Sequence, residues 1–440
     1  MTAPAPQPRP DGAAGSGGAL RLTDFDQALL AGEEGPAARL AMRILTRMAR
    51  IRGARRMLDI EQAHIDSTIY VGDAGLEFAE RLAGLGARVR VPSTLNVSGV
   101  DEFGWREWSV PGAWAEKARR QMRAYASMGT TPTWTCAPYQ TEHAPRFGQQ
   151  IAWGESNAVA FANSVLGART ERYPDLLDIC AAITGRAPAI GLHLERNRRA
   201  TRELRLTGIP EAVASRDDFY PVLGHLLGPW AESAPALIEG LPIVPTEDQL
   251  KALGAAAASS GAVALFHIPG VTPEAPTREA ALGGRRPELL RRVGFADLRR
   301  ARAELNARNE GPLDLVVLGS PHFSFAEFEA LASVLDAGSP GRGGSGCPLV
   351  VTTSRAVRDL ADRAGLLDPL SRFGARITVD TCILATPMLP PSVRRLMTNS
   401  AKYAWYSPSL LEARVSFGSL EECVASARAG RVVRAPGPWD

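Results

Sequence analysis

The chain has 440 residues, of which 45% are hydrophobic and 22% charged, and its formal net charge is +3. This length allows two or three domains with a large core, and the small, scattered excess of basic residues indicates neither a nucleic-acid nor a membrane partner. Five cysteines, none of them in a CxxC pair, suggest no disulfide framework and favour a reducing cytoplasm.

Ordered structure is predicted to begin after a low-complexity start. Residues 1–20 are rich in Pro, Gly and Ala and have no apolar core of the kind that a signal peptide needs, so they are predicted to be a disordered tail. Thr23 and Asp26 have the spacing of a capping box, and the helical spacing of apolar residues predicts a helix over 36–49. No apolar run reaches the length of a bilayer span.

After this helix, short β-rich runs alternate with helical segments. Several runs are apolar on both faces, which is typical of central strands in parallel sheets that helices cover. The predicted fold class is therefore α/β with several parallel-sheet units. In chain order the runs are ARVRVPSTLN, TPTWTCAPYQ, PAIGLHLE, AVALFHIPG, LDLVVLGSP, PLVVTTS and ARITVDTCIL.

Polar or soft side chains follow many of these predicted strands. In open parallel sheets, sites form outside the carboxyl ends of the strands, so a repeated pattern of this kind indicates a common crevice. For any single position, an ordinary turn explains the residue equally well. The residues concerned are Asn96, Cys136, His193, His267, Ser320, Ser354 and Cys382.

Two cysteines occupy similar places in the sequence. Cys136 in TWTCAPYQ and Cys382 in VDTCILATP both follow a threonine at the end of a β-rich run. Thiolates at strand ends can hold an iron–sulfur cluster without being close in sequence. The alternative is that both pack as small hydrophobic side chains. We interpret the other three cysteines, Cys180, Cys347 and Cys423, as structural.

Two further motifs carry polar side chains that suit a ligand. Glu155 and Ser156 precede a helix of small residues, where side chains and free backbone N–H groups can orient a ligand, although simple capping by Ser156 is the alternative. Lys402 lies alone among small and aromatic residues in MTNSAKYAWY. It could bind a carboxylate or a phosphate, or it could be a solvated lysine whose stem packs on the aromatic rings.

The remaining motifs exclude more than they identify. The stretch AHIDSTIYVGDAG brings Asp66, Ser67 and Thr68 next to His64, a combination with both structural and functional uses. The Gly-rich stretch GRGGSG at 341–346 does not fit a Walker motif and is predicted to be a loop. No nucleophile elbow, HExxH zinc motif or GxGxxG dinucleotide fingerprint is present, which excludes several enzyme classes.

Ten phrases occur in order along the chain: LLAGEEG, GDAGLEF, VPSTLN, TCAPYQ, IAWGESNAV with ANSVLGART, GLHLERNR, LGSPHFS, VDTC, TNSAKYAWY and FGSLEECV. Together they resemble the large, catalytic subunit of the aconitase X family, from about Leu22 to about Gly430. The resemblance makes residues 21–430 an aconitase-like catalytic region of several α/β subdomains. Residues 431–440 are then expected to be a C-terminal tail.

The resemblance implies a hydro-lyase of the aconitase superfamily that uses an iron–sulfur cluster as a Lewis acid on the departing hydroxyl. One known activity of the family dehydrates cis-3-hydroxy-L-proline, and another dehydrates phosphomevalonate. The family's cluster ligands would fall on Cys136, Ser320 and Cys382. Its other site residues would be Glu155, Ser156 and Lys402 as catalytic residues, and Asp66, Ser67, Thr68, Asn96 and Val97 as substrate contacts.

Ser320 is a departure within this resemblance, because the phosphomevalonate branch has cysteine there. Two thiolates and a hydroxyl suit a cubane-type cluster poorly, since a serine oxygen is a harder ligand. The departure fits the two-iron two-sulfur cluster that the hydroxyproline branch of the family is known to use, so the resemblance favours this type, with a four-iron or three-iron cluster as the alternative. It also favours cis-3-hydroxy-L-proline or a close relative as substrate. A phosphate would need cations, and the candidates Arg196, Arg198 and Arg355 all have plain surface interpretations.

The resemblance also implies a partner. The family's general base resembles a serine on a small swivel domain, and the sequence outside 22–430 is too short to supply that domain. We therefore expect a cytoplasmic heterodimer in which a small subunit provides the serine base and the ligand is a small carboxylated molecule. The alternatives are a phosphomevalonate dehydratase large subunit and a cluster-less, non-catalytic homologue that acts as a binding or scaffold protein.

Overall fold

The computed structural model of the chain describes residues 19–306, 311–337 and 346–439. Residues 1–18 of the tail predicted over 1–20, most of the predicted loop at 341–346 and Asp440 lie outside the described residues. The predicted capping box is confirmed, because the side chains of Thr23 and Asp26 each accept a hydrogen bond from the other residue's backbone N–H. The α/β fold class is also confirmed, since three parallel sheets carry helices on their connections.

The first segment contains a three-stranded parallel sheet in the order β3-β2-β4 and a small antiparallel pair, β1-β5. Its strands are β1 Met57–Asp59, β2 Gln62–Ile65, β3 Ser93–Leu95, β4 Ile151–Trp153 and β5 Arg186–Pro188. Its helices are α1 Asp24–Ala31, α2 Pro36–Ile51, α3 Asp73–Gly84, α4 Gly112–Ser127, α5 Ser156–Ser164 and α6 Leu177–Thr184.

The second segment contains a four-stranded parallel sheet in the order β8-β7-β6-β9. Its strands are β6 Arg202–Leu206, β7 Ala236–Glu239, β8 Phe266–His267 and β9 Leu289–Val293. Its helices are α7 Glu211–Ala214, α8 Phe219–Ala231, α9 Glu247–Gly261, α10 Arg278–Ala281 and α11 Phe295–Glu304.

The third segment contains a five-stranded parallel sheet in the order β12-β11-β10-β13-β14. Its strands are β10 Leu315–Phe323, β11 Leu349–Thr353, β12 Arg376–Val379, β13 Arg395–Thr398 and β14 Arg414–Phe417. Its helices are α12 Phe325–Ala337, α13 Arg355–Arg363, α14 Leu367–Phe373, α15 Ala401–Leu410 and α16 Leu420–Ala429. The following residues pack back on the fold, and Trp439 is buried with its Nε1–H donating to Asp218 Oδ1.

Two strand predictions are wrong. The run TPTWTCAPYQ forms no strand, because Pro132 and Pro138 have no N–H to donate and Trp134 has a φ of +43°. Only Thr131 in this run makes a bridge, to Thr94. In PAIGLHLE the strand ends at Pro188, and a 3-10 turn follows.

Hydrogen bonds join the first and third segments directly. The N–H of Ser98 donates to the carbonyl of Asp380 at 2.7 Å, and the Thr381 hydroxyl donates to the Ser98 carbonyl at 2.8 Å. Thr135 Oγ1 lies 3.1 Å from the Nδ1 atom of His322. The carboxyl ends of β2, β3 and β4 in the first segment therefore lie close to β10 and to the chain that leaves β12.

Candidate active site

A cavity of about 350 Å³ lies between the first and third segments. All the site residues predicted from the sequence line it except Ser67 and Thr68, which support it from behind. The first segment contributes Asp66 after β2, Asn96 and Val97 after β3, Cys136, and Glu155 and Ser156 after β4. The third segment contributes Ser320 in β10, Cys382 after β12 and Lys402 at the start of α15. The cavity thus occupies the carboxyl ends of parallel strands, where α/β proteins bind their ligands.

Of the seven strand-end residues proposed to share a crevice, His193, His267 and Ser354 do not line this cavity. Ser354 caps α13 by accepting the N–H of Val357 at 3.2 Å. His267 Nε2 lies 2.7 Å from the Arg198 carbonyl. His193 Nδ1 lies 2.6 Å from Gln150 Oε1, so each of the three residues has a hydrogen-bond partner that does not line this cavity.

Glu155 and Lys402 form a buried ion pair across the cavity. Lys402 Nζ lies 2.5 Å from Glu155 Oε1, and the two side chains are 13% and 7% exposed. Glu155, rather than Ser156, caps α5, because its Oε2 accepts the N–H of Ala158 at 2.8 Å and a hydrogen bond from Asn157 Nδ2. Although burial lowers the pKa of Lys402, the Glu155 carboxylate outweighs it and raises that pKa above the usual range, so the ammonium stays charged.

The turn Asp66–Thr68 is held by a carboxylate that the sequence interpretation missed. Asp178, in α6, accepts hydrogen bonds from the N–H of Asp66 at 2.5 Å and from the Ser67 hydroxyl at 3.0 Å. Burial raises the pKa of Asp178 to about 6, although these hydrogen bonds oppose the shift. The close approach requires glycine at 154, where a Cβ would lie 2.7 Å from both Asp178 Oδ2 and Asp66 Cβ.

Asp66 and Asn96 form the polar wall of the cavity next to this turn. Asn96 Nδ2 donates a hydrogen bond to Asp66 Oδ1. Burial, with a further contribution from the nearby Glu155 and Asp178 carboxylates, raises the pKa of Asp66 well above its usual range. Behind the wall, the Thr68 hydroxyl lies 3.1 and 3.0 Å from the carbonyl oxygens of Asn96 and Val97, which places Thr68 in a structural position.

A second wall of the cavity carries two thiols in an apolar setting. Cys136 and Cys382 belong to one small hydrophobic cluster with Val97, Ala385 and Ile69. Cys136 Sγ accepts the N–H of His322 at 3.2 Å, and burial raises the pKa of the Cys136 thiol to about 12. The pKa of the Cys382 thiol is raised by burial as well.

The donor set of this wall fits an iron–sulfur group only through its two thiols. Across the part of the chain that the structure describes, no three His, Cys, Asp or Glu side chains come together as a metal-binding group. Cys136 and Cys382, with the Ser320 hydroxyl on the same cavity, are therefore the soft and hard donors available here. Cys180, Cys347 and Cys423 are buried in other parts of the fold.

Several cavity residues gave no signal in the sequence. Arg172, Tyr173 and Asp175 come from the loop between α5 and α6, and Tyr406 and Leu410 come from α15. The loop sequence TERYPD has no periodicity and matches no motif, so only the structure brings it to the cavity.

The arginines considered as phosphate ligands are not among the lining residues. Arg198 is buried and bonded to Glu274 at 2.9 Å, and Arg355 pairs with Asp380. Arg196 lies exposed on a 3-10 turn.

The whole described fold has a close counterpart among solved structures. The crystal structure of Thermococcus kodakaraensis aconitase X in its holo-form superimposes with a TM-score of 0.83 and 34% sequence identity, over 93% of this chain and 100% of that one. The fold and the cavity at its strand ends thus define an α/β enzyme of the aconitase-like class.

Sequence comparisons narrow this class. Models of the aconitase X first, second and third domains match residues 19–196, 203–303 and 313–429. The chain belongs to the aconitase X family. It is 51% identical over 434 residues to a cis-3-hydroxy-L-proline dehydratase of Pseudomonas aeruginosa, covering 98% of this chain and 74% of that protein. It is 36% identical over 407 residues to a phosphomevalonate dehydratase large subunit of Methanocaldococcus jannaschii, covering 92% of this chain and 99% of that subunit.

No helix among residues 19–306, 311–337 and 346–439 has both the length and the hydropathy that a membrane crossing requires.

Proposed function

We propose that this chain is the catalytic part of an iron–sulfur hydro-lyase that removes water from cis-3-hydroxy-L-proline or a close relative. The observation that carries the proposal is the meeting of two thiols, a buried Lys402–Glu155 pair and the Asp66–Asn96 wall at one cavity. The 51% identity to a cis-3-hydroxy-L-proline dehydratase supports this substrate. The cavity, at about 350 Å³, is of a size that suits a small ligand.

Cys136 and Cys382 are the residues that would hold the cluster, with Ser320 as a third ligand. We propose a two-iron two-sulfur cluster, the type that the resemblance to the hydroxyproline branch implies, because the described residues offer only two soft thiolate donors on this cavity. When bound, such a cluster supplies a Lewis acid for the departing hydroxyl. The apolar shell of Ile69, Val97 and Ala385 around the thiols limits the access of water to this wall.

The polar wall has a separate task in this proposal. A dehydration needs a proton for the leaving hydroxyl, and burial of Asp66, which raises its pKa well above the usual range, favours the protonated form that can donate one. Asn96 orients Asp66 through its hydrogen bond to Oδ1, and Asp178 fixes the backbone of the same turn. The Lys402–Glu155 ion pair lines the same cavity and presents one positive and one negative group to the substrate. Ser156 lies beside this pair, with its hydroxyl 3.5 Å from Glu155 Oε1.

The base that takes the proton from carbon is proposed to be a serine on a small swivel-type subunit. The support is that relatives which this chain covers almost completely are named large subunits. The five free cysteines are in keeping with a reducing compartment, and we place the enzyme in the cytoplasm.

The test is to co-express the chain with a small subunit of the family, purify the complex without oxygen, and assay both substrates. We expect dehydration of cis-3-hydroxy-L-proline and little of phosphomevalonate. A preference for phosphomevalonate of about tenfold, equivalent to about 1.4 kcal/mol in the transition state, would contradict the proposed substrate.

Two variants test the assignment of residues in the same complex. Lys402→Ala should reduce turnover strongly because it leaves the Glu155 carboxylate buried without its partner. The matched control is Arg196→Ala, which removes an exposed cation outside the cavity and should leave turnover unchanged. Colourless protein with no activity on either substrate would instead favour a cluster-less homologue.

A further inference from the structure

Arg172 is a cavity-lining cation whose guanidinium is not hydrogen-bonded or ion-paired to any residue that the structure describes. It lies in the loop between α5 and α6, and its side chain is half-buried on the cavity wall. The Nη1 atom is fully enclosed and has no hydrogen-bond partner in the described part of the chain. Arg172 also forms no ion pair with a carboxylate within residues 19–306, 311–337 and 346–439, in contrast to most buried arginines of this fold, such as Arg186 and Arg198.

An enclosed guanidinium nitrogen without a partner points to a missing acceptor. Leaving a buried donor unpaired is unfavourable, and the penalty is greater when the group is charged. The planar guanidinium presents N–H groups in a fixed fork that matches a carboxylate. Arg172 lines the cavity, and none of its guanidinium nitrogens has a hydrogen-bond partner among the described residues, so a ligand bound in the cavity can supply the acceptor that the chain does not.

Lys402, the other cation that lines the cavity, is not available to bind a substrate carboxylate. Lys402 already pairs with Glu155 at 2.5 Å, and both side chains are nearly buried. A substrate carboxylate that took Lys402 would leave Glu155 as an unpaired buried charge, which is a costly exchange. Of the two cations among the described lining residues, Arg172 is the one that can bind an anion without breaking an existing ion pair.

We propose that Arg172 binds the carboxylate of the substrate and makes the site specific for small acids. The assignment deepens the proposed function, because it rests on a small carboxylated substrate and names the residue that recognises its acid group. It also changes the expectation that Lys402 is the carboxylate ligand. Lys402 then acts with Glu155 as a fixed pair, and Asp175 remains on the cavity to face a substrate ammonium.

Paired ligands that differ only at the acid group test this proposal. L-proline and L-prolinamide share the ring and the amine, and neither carries a hydroxyl that the enzyme could remove. Binding of each to the full chain is measured by calorimetry for wild type, Arg172→Gln and Arg172→Lys. Arg172→Gln should weaken L-proline about 10- to 100-fold, as expected for a charged hydrogen bond, and should change L-prolinamide less than about threefold.

Arg172→Lys keeps the charge but loses the fork, so it should recover only part of the affinity for L-proline. The control is Arg196→Gln, an exposed arginine outside the cavity, which should bind both ligands like wild type. Equal losses for acid and amide, or no loss for the acid, would overturn the proposal, as would a wild-type chain that binds no small acid.

The role of Arg172 can be tested even if the proposed substrate, cis-3-hydroxy-L-proline, is wrong. If the complex dehydrates phosphomevalonate instead, the same variants are compared on phosphomevalonate and mevalonate, which both carry the carboxylate. Equal weakening of both by Arg172→Gln would uphold the role of Arg172 while the substrate assignment fails. Weakening of phosphomevalonate alone would mean that Arg172 recognises phosphate, and the proposal would be wrong.

Discussion

The Lys402→Met variant should be markedly less stable than wild type. Lys402 Nζ and Glu155 Oε1 are 2.5 Å apart, and at an effective dielectric constant of about 20 two charges at this distance attract by about 7 kcal/mol. Desolvation of both groups offsets much of this attraction, and removing one partner of a buried pair typically costs about 3–5 kcal/mol. Glu155 retains the N–H of Ala158 and Asn157 Nδ2 as donors, so we expect about 3 kcal/mol, the lower end of this range.

Urea unfolding of the single variants and of the double variant Glu155→Gln/Lys402→Met measures the coupling between the two residues. Gln at 155 can still accept the N–H of Ala158 and leaves no buried charge, so the double variant should be about 2 kcal/mol more stable than Lys402→Met. The reasoning is refuted if Lys402→Met unfolds within about 0.5 kcal/mol of wild type, or if the double variant is the least stable of the set.

Three further predictions follow from the walls of the cavity and from one buried histidine. Cys136→Ala or Cys382→Ala should abolish the visible absorbance of protein loaded anaerobically with iron and sulfide, whereas Cys180→Ala should keep it; full iron content in the Cys136→Ala/Cys382→Ala variant would contradict the ligand assignment. Asp178→Ala removes the acceptor of the Asp66–Thr68 turn and should weaken L-proline binding about tenfold in calorimetry, whereas a change below about twofold would show that the turn holds without it. Burial lowers the pKa of His267 from 6.5 to about 4, so the unfolded chain takes up a proton in this window and the folded chain does not. The free energy of unfolding of wild type therefore decreases as the pH is lowered through this window. Because Gln does not titrate, the stability of His267→Gln relative to wild type should increase by about 1 kcal/mol from pH 6 to pH 5 in urea unfolding. A difference that stays constant would mean that His267 titrates normally in the fold.

The sequence predicted the α/β class because its strands are apolar runs that end at polar or small residues. The run LDLVVLGSP became β10, and Ser320 indeed lies at the cavity. Short strands with charged residues were not predicted: β13, with the sequence RLMT, has only four residues, three of them buried in a row, and so shows no alternation. The prolines of TPTWTCAPYQ should have argued against a strand, yet Cys136 still reaches the cavity from irregular chain.

The sequence predicted many of the residues that line the cavity, but it did not predict which of them form ion pairs and hydrogen bonds with each other. The resemblance to the family supplied Glu155 and Lys402, and no feature of the sequence indicates that two residues so far apart neutralise each other. The same holds for Asp178, whose role depends on the close packing of α6 against Gly154. Arg172 was missed because a charged loop residue resembles any solvated surface residue until its surroundings are known.

The cavity is built from strand ends of two separate sheets, and this has a practical consequence. A molecule bound there touches the first and third segments together, so its binding energy also stabilises the folded arrangement of these two segments against unfolding. Occupancy at a hundred times the dissociation constant adds about 2.7 kcal/mol to stability by mass action. A melting-temperature survey of small acids and amines could therefore rank ligands for this protein before any turnover has been seen, with the fold itself as the reporter.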